Sequence, residues 1–105
     1  MGTRARLCAL DELDTGSSRR FDVAGHRIAV VRIGDDLYAI GDRCTHQDVS
    51  LAEGDVDGDD LTLECWKHGS LFELETGVPT VLPATKPVPV YDIVSEGGDV
   101  FVELP

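Results

Sequence analysis

A chain of 105 residues has room for one domain of modest core, so residues 1–105 are expected to form a single unit. Its formal net charge of −11 repels nucleic-acid phosphates and anionic lipid and favours partners with basic faces. The start, Met1-Gly2-Thr3-Arg4-Ala5-Arg6, lacks the apolar segment of a signal peptide, no run reaches the roughly 18 apolar residues of a spanning helix, and three cysteines do not make a disulfide framework; a cytoplasmic chain with no membrane or nucleic-acid partner is expected.

In chain order, short β-branched or alternating runs follow one another across Gly/Asp turns, and nothing sustains helical periodicity, so the fold class is all-β. Strands are predicted over 4–10, 20–23, 27–33 and 37–40, with Ala24-Gly25-His26 and Gly34-Asp35-Asp36 as tight turns. The run from Gly54 to Asp60 reads as an acidic turn, 61–64 and 71–74 as strands, and 79–89 as a rigid loop whose prolines cannot donate to a ladder. A last hairpin pairs 90–94 with 100–104 across Glu96-Gly97-Gly98. Only 11–15 and 51–53 have any helical character.

Between these strands stand two short pairs, Cys44-Thr45-His46 and Cys65-Trp66-Lys67-His68, separated by 18 residues and placed on loops at strand ends. Two thiolates and two imidazoles at this spacing look like the ligands of one metal centre. A tetrahedral zinc site fits the spacing, and so does iron. Thiolates hold iron in its oxidised state and neutral imidazole favours the reduced one, so mixing them sets an intermediate potential. His68-Gly69-Ser70 adds a flexible backbone and a hydroxyl beside a ligand, which suits hydrogen bonding to bridging sulfides.

Cys44-Thr45-His46 and Cys65-Trp66-Lys67-His68-Gly69-Ser70 resemble the two ligand boxes of Rieske [2Fe–2S] proteins, and Leu82-Pro83-Ala84 falls where that family has a proline loop over the cluster. The resemblance implies an antiparallel β-sandwich or barrel, with a small cluster-binding subdomain over about 42–84 made of two ligand loops and the proline loop. It also implies one [2Fe–2S] cluster, with Cys44 and Cys65 on one iron and His46 and His68 on the other. On that resemblance the histidine-bound iron would take the electron, and its imidazoles would lie toward solvent. Rieske subunits of respiratory complexes carry a disulfide between the boxes; the matching positions here are Val49 and Lys67. High-potential members place a serine and a tyrosine hydroxyl at the cluster. Ser70 is present, but Phe72 stands where the tyrosine would be, which places the potential toward the low end of roughly −150 to +300 mV.

The chain therefore resembles a Rieske-type ferredoxin, which implies a monomeric one-electron carrier between a flavoprotein, NAD(P)H-dependent reductase and a terminal non-heme iron oxygenase. The oxygenase itself needs a separate 2-His-1-carboxylate iron, and only His26 remains, in a predicted solvated turn. A permanent Rieske subunit of a reductase or oxidase is the alternative, with a zinc-stabilised binding module behind it. Trp66 is expected to pack structurally beside the site, with a docking role as the other reading. Lys67 is expected to extend into water, Pro83 to cover the cluster, and Cys8 to be a small buried hydrophobe. Acidic Asp48, Glu53, Asp55, Asp57, Asp59 and Asp60 surround the boxes and are candidates for steering a basic partner.

Overall fold

Alternation of apolar and polar residues organises the structure, a computed structural model that describes residues 3–44, 49–67, 69–82 and 84–104. Its strands are β1 (Thr3–Ala9), β2 (Ser17–Val23), β3 (His26–Ile33), β4 (Asp36–Gly41), β5 (Val56–Asp57), β6 (Thr62–Glu64), β7 (Leu71–Glu73), β8 (Val90–Glu96) and β9 (Asp99–Leu104). Single 3₁₀ turns stand at Leu10–Glu12 and Leu51–Glu53. Among the described residues no helix is long and apolar enough to cross a membrane.

Six strands form one sheet in the order β1-β9-β8-β4-β3-β2, every neighbouring pair antiparallel. A second sheet has the order β5-β6-β7 and occupies the chain between β4 and β8. β3 is the wall shared by two cores. Ile28 and Val30 on one face pack with Cys8, Ala39, Val100 and Val102, while Ala29 and Val31 on the other pack with Ile40, Leu51, Leu63, Phe72, Cys44 and Cys65. Period-2 alternation thus commits one strand to both cores, and each fully buried aliphatic side chain contributes on the order of 1.5–3 kcal/mol.

Several boundaries differ from those the sequence predicts. The acidic 54–60 stretch contains β5, whose Val56 pairs with Leu63; two residues of strand are too few to show alternation. β8 runs on through Glu96, leaving Gly97-Gly98 as a two-residue hairpin turn with both φ values positive, at 59° and 83°. Helical character at 11–15 shrinks to the 3₁₀ turn at Leu10–Glu12. The turn before β3 is Ala24-Gly25, so His26 belongs to the strand. It is half-buried rather than solvated, with Nδ1 3.2 Å from the Tyr91 hydroxyl and the two rings edge to face.

Candidate metal centre

The two ligand boxes are built alike. β4 ends at Gly41, and the N–H of Cys44 donates to the carbonyl of Val49 at 3.0 Å, while Arg43 bridges Ser50 across the base of the loop. β6 ends at Glu64, and the N–H of Cys65 donates to the carbonyl of Ser70 at 2.7 Å, with Glu64 paired to Leu71. In both boxes the cysteine opens a loop that closes on the residue five positions later. Gly69, at φ +75°, supplies the left-handed turn of the second loop, a conformation most side chains disfavour.

Both thiols are buried, Cys44 at 1% and Cys65 at 0% exposure, and they belong to the same apolar cluster. Neither is in a disulfide. Val49 packs half-buried against that cluster, and Lys67 is exposed. His46, His68, Pro83 and Asp48 lie outside the described residues.

The second loop is tied to the proline-rich segment. Ser70 is fully buried, and its hydroxyl oxygen accepts the N–H of Ala84 at 3.0 Å. Thr80 N–H donates to the Leu71 carbonyl, and Phe72 bridges Pro79, so the segment lies against β7. Phe72 is fully buried in the thiol-containing core and brings no hydroxyl there. Trp66 keeps 51% of its surface exposed, so packing claims only half of the ring; Leu82, at 72%, stands out further. Glu53, Asp55, Asp57, Asp59 and Asp60 are all exposed.

Two structural residues lie outside the sequence reading. Asp42, fully buried two positions before Cys44, accepts the Ser50 hydroxyl at 2.6 Å and the Ala52 N–H at 2.7 Å. The signal was an acid embedded at the end of the apolar run Tyr38-Ala39-Ile40-Gly41. Gly54 ends the 3₁₀ turn against β6, where a Cβ would come within 1.6 Å of the Glu64 carbonyl oxygen. No side chain fits that contact, so Gly54 lets the segment leaving the first box touch the strand entering the second.

The donor chemistry fits an iron–sulfur cluster. Two water-excluded sulfurs in one core are donors of the type a thiolate-bound cluster needs, and the Ser70 hydroxyl, its oxygen already occupied by Ala84, can give its proton to an anionic sulfide. The model for the Rieske [2Fe-2S] domain matches residues 3–92. The chain belongs to the Rieske [2Fe–2S] domain family. Its relatives are consistent: the chain is 40% identical over 102 residues to the 3-phenylpropionate/cinnamic acid dioxygenase ferredoxin subunit of Escherichia coli strain K12, covering 97% of this chain and 94% of that one. The ferredoxin of carbazole 1,9a-dioxygenase from Nocardioides aromaticivorans IC177 superposes with a TM-score of 0.92 at 40% identity, over 95% of this chain and 96% of that one. A chain in the solved complex of reduced oxygenase and oxidized ferredoxin in carbazole 1,9a-dioxygenase matches with a TM-score of 0.86 at 39% identity, covering 94% of this chain and 91% of that one. This Rieske protein carries a [2Fe–2S] cluster of that type and is an electron-transfer component rather than a catalytic enzyme.

Outside the site, burial pushes the Cys8 thiol above its ordinary range, with Glu12 adding to the shift, and burial does the same to the Tyr91 phenol. Cys8 is 3% exposed in the core opposite the ligand boxes, as expected of a small hydrophobe.

Proposed function

We propose that this Rieske protein is a cytoplasmic, monomeric shuttle that takes one electron at a time from a flavoprotein, NAD(P)H-dependent reductase and delivers it to a terminal non-heme iron oxygenase. The observation that carries the reading is the pair of matching loops, each opened by a buried cysteine of one shared core. Relatives named as dioxygenase ferredoxin subunits, alike over nearly their whole length, support it.

In this reading residues 42–84 form the cluster-binding unit inserted into the larger sheet. Cys44 and Cys65 would hold one iron and His46 and His68 the other, and a cluster bound there would supply one-electron redox chemistry. The buried cysteines keep water from the sulfur side. Val49 and Lys67 leave the two loops without a disulfide, so hydrogen bonds hold them: Cys44 to Val49, Cys65 to Ser70, and Ala84 to Ser70. Trp66 and Leu82 present apolar surface beside the loops, and the exposed acids of the 53–60 segment attract a basic partner face.

The test uses the purified chain. The shuttle reading expects a red-brown monomer with two irons and two labile sulfides, reducible by NAD(P)H through a flavoprotein reductase and reoxidised by an oxygenase turning over its substrate. A colourless chain holding one zinc, or a chain that reductases cannot reduce unless it is built into a larger complex, contradicts it.

A further inference from the structure

Asp42 is a fully buried carboxylate in a small acidic protein, and burial of such a group is costly unless it is well paired. Its two oxygens reach different parts of the chain. Oδ2 accepts from Ser50, at the far end of the first ligand loop, and Oδ1 accepts from the N–H of Ala52 in the 3₁₀ turn beyond it. Its own N–H donates to the Arg27 carbonyl of β3 at 2.9 Å, and its carbonyl accepts the Leu51 N–H at 3.4 Å. One residue thus clamps the root of the loop to the sheet below and to the turn that follows.

Arg20 pairs with Asp42, its Nε 3.6 Å from Oδ2, while the same guanidinium is shared with Asp22 at 3.2 Å and is 41% exposed. A half-exposed, shared cation cancels little of a buried charge. Asp42 is two residues from Cys44, so their Cα atoms are at most about 7 Å apart. Both side chains are buried, on either side of the exposed Arg43, and charge between buried groups acts through a lower dielectric and is less screened by salt than at the surface.

We infer that Asp42 is a positioning residue for the first ligand loop and also the fixed negative charge that holds the cluster's reduction potential down, with Arg20 as its weak counterweight. Adding an electron beside a fixed anion is disfavoured, and net charge around a cluster is one of the determinants of its potential. The inference rests on the proposal that Cys44 is a cluster ligand.

Three variants separate charge from scaffolding, each read by spectroelectrochemical midpoint potential, thermal unfolding and iron and sulfide content. Asp42→Asn keeps an oxygen for the Ala52 N–H and an amide that can donate to the Ser50 oxygen, but removes the charge; the potential rises. Arg20→Gln removes the exposed cation and leaves Asp42 in place; the potential falls. Ser50→Ala removes one clamp bond and no charge; the unfolding temperature drops while the potential stays. Opposite shifts for the first two variants establish the charge role. No shift in either with the cluster intact, or shifts of the same sign, overturns it. Should Asp42→Asn fail to assemble the cluster, the clamp is supported and Arg20→Gln alone decides the charge. A wild-type chain without two irons and two sulfides overturns the carrier reading instead.

Discussion

The N–H of Ala84 donates to the hydroxyl oxygen of Ser70 at 3.0 Å, and both residues are buried. This bond ties the second loop to the proline-rich segment, which Thr80 and Pro79 also hold against β7; in the proposed function it joins a residue of the second ligand box to the segment expected to cover the cluster.

Ser70→Ala leaves the Ala84 N–H buried without its acceptor, a loss of about 1–3 kcal/mol. For a domain of this size each kcal/mol corresponds to roughly 4–8 °C in unfolding temperature. If Ser70 also donates to the cluster, as the proposed function expects, the potential falls. Differential scanning calorimetry and spectroelectrochemistry on the same sample check both; a destabilised protein with an unchanged potential would confine Ser70 to scaffolding.

Phe72 occupies a fully buried position in the thiol-containing core and offers no hydrogen bond to sulfur. The wild-type potential is therefore expected in the lower part of the roughly −150 to +300 mV range, and Phe72→Tyr is expected to raise it. Protein-film voltammetry measures both. A wild-type midpoint well above zero contradicts the expectation, as does a tyrosine variant that folds and shifts downward.

Trp66 exposes 51% of its surface, so Trp66→Ala is expected to change unfolding free energy by no more than about 1 kcal/mol. As an apolar anchor in a docking face it is expected to cost about 1–2 kcal/mol in affinity for the oxygenase, near a tenfold rise in Kd. Electron-transfer rates between the wild-type proteins should also fall as salt rises, because the exposed acids of 53–60 steer by long-range attraction. Stopped-flow measurements over a salt series check both, and a flat series removes the steering.

Alkaline stability follows from Cys8. Its folded-state pKa is raised above the ordinary 9.0, chiefly by burial, so the unfolded chain releases this proton first. Stability is complete below about pH 9 and declines as the pH climbs through the raised folded value; the buried Tyr91 adds a similar decline starting near its ordinary 10.0. Urea titrations at pH 7.5, 9 and 10 should show this slope in wild type and a shallower one in Cys8→Ala.

Much of this was legible in the sequence because it is written in local pattern. The β-branched run of β3 and the Gly97-Gly98 turn announce themselves, and the two ligand pairs specify donor types at fixed spacing. The 3₁₀ turn Leu51–Glu53 falls where slight helical character was expected. What stayed hidden depends on the partner across the fold. β5 is a strand only because β6 lies beside it, and His26 is half-buried only because Tyr91 reaches it across β4. Asp42 reads as one acid among twenty until folding buries it against Ser50 and Ala52. Gly54 reads as a turn glycine until Glu64 is seen to fill the space of its missing side chain.

In the proposed function Cys44, His46, Cys65 and His68 together hold one [2Fe–2S] cluster used for single-electron transfer. Electron–nuclear double resonance on the reduced protein, grown with ¹⁵N-histidine, tests it most directly. Couplings from two inequivalent histidine nitrogens are expected, vanishing in part with His46→Cys and with His68→Cys; a paramagnetic cluster with no histidine coupling, or a chain with no reducible cluster, contradicts this ligand set.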